Sequence, residues 1–214
     1  MRWLNGQPAE MLPLSDRAIQ FGDGVFRTLR VQDGKLVFWS RHFRKLCADC
    51  AVLGIPAPQE LLLLQDIHGL LSDAQCQDAV IKIVITRGES ARGYVIPTDI
   101  RPNRIVQCAA PPQYPDMLYT EGAEIRLCSI RAGWQPALAG VKHLNRLENV
   151  LARREWRDPA ILEGLLLDRD GYVLEGVMSN LLLWHNHALL TPLLESAGVA
   201  GVMREVAFDA ARHL

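Results

Sequence analysis

Three prolines within five positions, Pro111, Pro112 and Pro115, close a run of strand-like segments and constrain the fold more than any other feature of this chain. Proline cannot donate to a β ladder and stiffens the backbone around it, so the cluster suits a linker between domains. A chain of 214 residues is long for one small domain and short for two large ones. The expected organisation is therefore two small lobes, residues 1–110 as an N-terminal α/β lobe and 111–214 as a larger C-terminal lobe. Hydrophobic residues make up 49% of the sequence, enough for a core in each.

The first lobe opens as hairpins. Asn5-Gly6 is a turn dipeptide, and Val25 to Val31 and Lys35 to Trp39 flank Asp33-Gly34, a strong hairpin signal. Ser40 can cap a helix from Arg41 to Leu53 that places Phe43, Leu46, Cys47 and Cys50 on one face and stops at Gly54. A leucine-rich helix follows Pro58, and Val80 to Thr86 and Ile105 to Ala109 read as buried strands. In the second lobe, Glu124 to Ile130 and Ile161 to Asp168 are strands. Asn145 caps an amphipathic helix reaching Trp156, Leu181 to His185 and Ala188 to Thr191 pair around Asn186, and Gly201 starts a helix that runs to the end. The fold class is α+β, with mixed sheets and flanking helices.

The formal charge of −1 comes from 23 basic and 24 acidic residues spread along the chain. No basic face calls for nucleic acid or an anionic membrane, and the expected partner is a small molecule. No apolar run approaches the roughly eighteen residues of a membrane span, and the five cysteines are scattered, which fits a reduced, cytoplasmic protein. Cys47 and Cys50 form a C-x-x-C that no second pair completes, so no metal is expected. None of the six histidines stands in a nucleophile or metal motif.

Only four lysines are present, at 35, 45, 82 and 142, so amine chemistry has a short list of candidates. Lys35 follows a hairpin turn, Lys45 lies on a helix, and Lys82 interrupts an apolar strand, where an edge or a capping carboxylate would accommodate it. Lys142 sits in the apolar segment Leu138-Ala-Gly-Val-Lys-His-Leu-Asn145, where burial would favour the neutral, nucleophilic amine.

Four ordered motifs make the chemistry specific. Lys142-His-Leu-Asn-Arg-Leu-Glu-Asn-Val-Leu-Ala152 resembles the cofactor-lysine segment of the branched-chain and D-amino-acid aminotransferase group of pyridoxal-phosphate enzymes, especially its aminodeoxychorismate lyases. Ser15 to Phe26, Asp170 to Leu181 and Gly198 to Arg204 resemble further signatures of that group, in its order and over essentially the whole chain. The resemblance implies the two-lobe type IV fold, pyridoxal 5'-phosphate as cofactor, and a homodimer. It makes Lys142 the catalytic, cofactor-bearing residue and Glu175 the carboxylate that keeps the pyridine nitrogen protonated. Ser179 and Asn180 fall in the same motif as cofactor contacts, and Gly201, Val202 and Met203 open a helix whose amides suit a phosphate.

Lys45 takes the place of an arginine that relatives use on the phosphate in a His-x-x-Arg-Leu pattern; here the sequence is His42-Phe-Arg-Lys-Leu46, which keeps the charge and loses the planar fork. Met203 stands where many of the aminotransferases have threonine. By resemblance, Arg92 and Tyr94 in Thr86 to Tyr94 lie near the substrate, and Phe26 and Thr28 share the side of a strand that faces the pocket. The implied reaction converts 4-amino-4-deoxychorismate to 4-aminobenzoate and pyruvate, a step of folate biosynthesis. A D-amino-acid or branched-chain aminotransferase uses the same lysine and is the alternative; Met203 and the Arg92 to Tyr94 segment favour the lyase. Relatives continue beyond the last helix, so the second lobe is expected to lack its C-terminal part, and a non-catalytic cofactor-binding chain is a third reading.

Overall fold

The computed structural model describes residues 1–212, and the chain divides into two compact units. The first comprises Met1–Pro112 together with the four residues Lys142–Asn145; the second comprises Gln113–Val141 and the residues from Arg146 onward.

The first unit is built on a six-stranded sheet. Its strands are β1 (Arg2–Leu4), β2 (Gln7–Pro8), β3 (Gly24–Gln32), β4 (Lys35–Leu36), β5 (Ala79–Thr86) and β6 (Asn103–Ala109), in the order β2-β1-β6-β5-β3-β4. Every pairing is antiparallel. Asn5-Gly6 and Asp33-Gly34 turn with positive φ at both positions, the conformation that matches the twist of a two-residue hairpin. Strand β4 is shorter than its sequence pattern predicts. Phe38 enters the left-handed region at φ 53° and begins helix α2 (Trp39–Leu53).

Ser40 is not the cap of that helix but lies inside its first turn, and the helix has no side-chain cap. Its start is instead held by Trp39, which donates to Glu60 Oε1 at 2.7 Å and stacks on Phe43. Gly54 ends it in the left-handed conformation, as its position in the sequence predicts. The buried face is His42, Leu46, Asp49 and Cys50 rather than the apolar stripe centred on Phe43 and Cys47. Polar residues lie in this face because strand β3 brings Arg27, also buried, to meet them. Burial pushes the Cys50 thiol up to about 12, as befits a core residue.

Around this sheet, Val25, Leu29, Val31, Ile81, Ile83, Ile85 and Val106 join Leu46 of α2 and Leu63, Ile67 and Leu70 of α3 (Glu60–Ala74) in the buried core. Lys82 is a correction to the sequence reading. It is on the central strand β5, not at an edge, and lies exposed with its Nζ 5.2 Å from the Phe26 ring centroid. A short helix, α1 (Arg17–Phe21), precedes β3 and is capped by the Asp16 carboxylate.

In the second unit, β7 (Glu124–Arg131), β8 (Ile161–Leu167) and β9 (Val173–Gly176) form a three-stranded sheet, parallel between β7 and β8 and antiparallel between β8 and β9. Strands β10 (Leu183–His185) and β11 (Ala188–Leu190) make a separate hairpin through Asn186 and His187, both at positive φ. The helices are α4 (Met117–Thr120), α5 (Leu147–Arg153) and α6 (Val202–Ala211), with a 3-10 turn at Pro136–Leu138. Cys128, Ala152, Trp156, Leu166 and Val177 form one buried cluster, and Ala132, Leu174 and Ala197 another. Helix α5 is shorter than the segment from Asn145 to Trp156 that periodicity predicts. Asn145 does not cap it; its side-chain amide donates to the Gly22 carbonyl at 3.3 Å. The last helix ends at Ala211, and the sequence-based expectation that it runs to the terminus extends past the described residues.

Candidate active site

Lys142 is set by backbone pairing. Phe26 donates its N–H to the Lys142 carbonyl at 2.9 Å, Leu144 donates to the Gly24 carbonyl at 3.0 Å, and Val25 bridges His143. Only glycine allows this approach at position 24, because a Cβ there would stand 2.5 Å from the Ile85 carbonyl oxygen and 2.8 Å from the Leu144 side chain. The Lys142 side chain is half-buried, with its Nζ 4.7 Å from the centroid of the Phe26 ring. Phe26 and Thr28 share the face of β3 opposite the core, and Thr28 pairs with Lys82.

Behind the lysine lies a buried ionic cluster. The Lys142 main-chain N–H donates to Asp49 Oδ2 at 3.1 Å. The same carboxylate pairs with the Arg27 guanidinium and, one turn back along α2, with the Lys45 ammonium. Burial, with Arg27 and Lys142 adding positive charge, pulls the Lys45 ammonium down to about 8. Burial and Arg27 likewise hold His42 down at about 4, so it is neutral at pH 7. Two cationic side chains, Arg27 and Lys45, thus converge on one carboxylate, and the charge of Lys142 is felt at Lys45, so the cluster is net positive, a setting that suits an anion such as a phosphate.

Arg92 and Tyr94 lie together on the loop after β5, and both side chains are exposed. This loop is tied down through Arg17, a buried arginine that the sequence reading did not single out. It donates to Ser90 Oγ at 3.0 Å and to the carbonyls of Gly93, Tyr94 and Val95 at 3.2–3.3 Å. Arg17 also shares the Asp23 carboxylate with Arg87. Burial pushes the Asp23 carboxyl up, but the two guanidiniums win and hold it below the usual range.

In the second unit Glu175 is 4% exposed at the end of β9. Its Oε2 accepts from Val199 N at 2.8 Å and from Asn180 Nδ2 at 3.4 Å. Asn180 is the joint of this half. Its Nδ2 also donates to the Val199 carbonyl at 2.8 Å, and its Oδ1 accepts from Gly201 N at 3.1 Å. The carboxylate is thereby fixed to the turn that opens α6, whose first residues are Val202, buried, and Met203, exposed, and which has no side-chain cap. Gly198, at φ 81°, is required there, since a Cβ would meet Leu194 at 2.7 Å and the Glu175 carboxylate at 3.3 Å. Arg146 belongs to this half too. Burial lowers its pKa while the charge of Glu175 acts against the shift. Ser179 is turned elsewhere, donating to Glu163 Oε2 at 2.8 Å.

Residues 24–214 match the family described as Amino-transferase class IV. The chain belongs to the class IV aminotransferase family. Within it, the chain is 35% identical over 205 residues to an aminodeoxychorismate lyase of Vibrio harveyi, covering 95% of this chain and 74% of that protein. It superposes on the crystal structure of a 4-amino-4-deoxychorismate lyase of Pseudomonas aeruginosa with a TM-score of 0.94 and 41% identity, over 100% of this chain and 78% of that one. A putative branched-chain-amino-acid aminotransferase of Methanocaldococcus jannaschii is 30% identical over 201 residues, 92% of this chain and 68% of that protein. The α+β type IV fold expected from the sequence is the fold of this family.

Arg27, Asp49, Arg17 and Arg146 escaped the sequence reading. A signal for the first pair was present: Arg27 falls between Val25, Leu29 and Val31 on the inward face of its strand, and a charge there requires a buried partner.

Proposed function

We propose that this chain is a pyridoxal-phosphate-dependent lyase that converts 4-amino-4-deoxychorismate to 4-aminobenzoate and pyruvate. The observation that carries the reading is the likeness, over the full length of this chain, to a lyase of that name at 41% identity. Lys142 would bear the cofactor, with Lys45 and the Gly201–Met203 helix start on its phosphate and Glu175, steadied by Asn180, on its ring nitrogen. The bound cofactor supplies an electron sink for the pair released when a bond at the amine-bearing carbon breaks.

The chain's own residues do the rest. When the substrate amine takes its place, the Lys142 amine is released as a neutral base, held over Phe26 by its fixed main chain. It removes the proton from the amine-bearing ring carbon. The proton taken by Lys142 goes to the departing enol oxygen, so loss of the three-carbon enol ether as pyruvate leaves an aromatic ring with no further reactant. Arg92 and Tyr94, carried on the loop that Arg17 anchors, would receive the substrate's carboxylate end. Glu175 accepts hydrogen bonds from the Val199 N–H and the Asn180 amide, donors that suit the carboxylate its role needs.

An aminotransferase would use the same lysine and release a keto acid; the likeness to the Methanocaldococcus jannaschii protein favours this second reading. Among the described residues no helix is long and apolar enough to cross a membrane. Resemblance to the family supports a cytoplasmic homodimer as part of this proposal. The test is to load the protein with pyridoxal phosphate, fix it with borohydride and map the adduct, then supply aminodeoxychorismate. An adduct at Lys142 with equal yields of pyruvate and 4-aminobenzoate is the expected result. A keto acid formed only with an amino donor would favour the aminotransferase, and fixation at Lys35, Lys45 or Lys82 would overturn the assignment.

A further inference from the structure

We propose that Asp49 is a positioning residue for the cofactor lysine, its buried carboxylate holding the Lys142 main chain against helix α2 and strand β3. The inference rests on the lyase reading above. In that reaction the Lys142 amine must leave one carbon and return to it in every turnover. The side chain therefore swings while its main chain stays in register.

The main chain is held at two points. Phe26 N–H binds the Lys142 carbonyl at 2.9 Å, and Asp49 Oδ2 accepts the Lys142 N–H at 3.1 Å. The first anchor is part of the sheet. The second is a side chain, and it serves as an anchor only if the carboxylate cannot drift. Arg27 from β3 and Lys45 from the preceding turn of α2 prevent that, and the Asp49 side chain is 1% exposed. Two cations would satisfy a buried carboxylate by themselves, and such a pair can be exchanged for apolar residues at little cost to stability. What that exchange would not replace is the acceptor for the amide of residue 142.

The scarcity of lysine gives a direct readout. Protein labelled with 15N-lysine shows four amide signals, and Lys45 and Lys82 report on α2 and the central strand in the same sample. In the holoprotein the Lys142 amide should exchange as slowly as that of Lys82; exchange at the rate of a free amide would overturn the proposal without any variant. Two variants of equal charge then isolate the acceptor. In Arg27→Met with Asp49→Asn the amide keeps an oxygen partner, and in Arg27→Met with Asp49→Ala it has none. We expect exchange at Lys142 to rise at least roughly tenfold in the alanine pair and to stay near wild type in the asparagine pair, with Lys45 and Lys82 unchanged in both. The rate at which cofactor becomes fixable by borohydride should fall about tenfold with alanine and recover with asparagine. Equal behaviour of the two pairs overturns the role of Asp49. Fixation at a lysine other than 142 overturns instead the cofactor reading on which it rests.

Discussion

Val199 presents its main-chain N–H to Glu175 Oε2 at 2.8 Å, so a carboxylate on strand β9 is fixed by the turn that begins helix α6. With 4% of its surface exposed, Glu175 takes its hydrogen bonds from the Val199 N–H and the Asn180 amide. Glu175→Gln keeps the shape and loses the charge. Its turnover should fall at least roughly a hundredfold, the scale of removing one preorganised charge from a reacting centre, with the melting temperature within a few degrees of wild type. Steady-state product formation and a thermal melt measure the two. A variant with turnover within a few-fold of wild type would exclude Glu175 from the ring nitrogen.

Asn180 engages Glu175, Val199 and Gly201 with one amide group. Asn180→Ala leaves the Gly201 N–H and the Val199 carbonyl without this partner and frees the carboxylate on one side. A loss of about 1–3 kcal/mol of stability is expected, read by denaturant unfolding. Hydrogen exchange should quicken in the 198–203 segment before it does so in β8. Exchange that quickens evenly over the whole second unit would mean that Asn180 serves the core at large and not this turn.

The parts of the fold that local chemistry dictates were legible in the sequence. Asp33-Gly34 and Asn186 turn where their residue types predict, and Gly54 ends α2 because a left-handed residue is needed there. Asn145 and Ser40 failed as caps for one reason. Each has the right side chain at a helix start, but tertiary partners decide the boundary: the Gly22 carbonyl takes the Asn145 amide, and Trp39 with Phe38 fixes the start of α2. The site divides similarly. Lys142 and Glu175 stand in contiguous motifs, whereas the Arg27 to Asp49 pair joins two elements 22 positions apart along the chain and reads as surface charge until the sheet is folded.

Arg17 anchors the loop of Arg92 and Tyr94 through three main-chain carbonyls and one serine hydroxyl, all from one buried guanidinium. Arg17→Met should leave Asp23 paired with Arg87 and release that loop. Trypsin would then cut after Arg92 much faster than in wild type, and KM for aminodeoxychorismate should rise several-fold with little change in kcat. A stability loss of roughly 3 kcal/mol accompanies the broken buried pair. Unchanged cleavage would show that the loop is held by contacts other than Arg17.

His42 provides a pH test. It is 9% exposed, its Nδ1 is buried without a hydrogen-bond partner among the described residues, and burial beside Arg27 lowers its pKa to about 4. The unfolded chain binds a proton on this imidazole near pH 6.5, while the folded protein refuses it until about pH 4. Stability is therefore complete above pH 6.5 and declines as the pH falls through that window, by up to roughly 3 kcal/mol at its acid end. His42→Leu fills a similar volume with nothing to titrate. Its unfolding free energy, measured in denaturant from pH 7 to pH 4, should fall less steeply than that of wild type. Parallel curves would mean that other groups carry the acid sensitivity and that His42 accepts its proton in the folded protein.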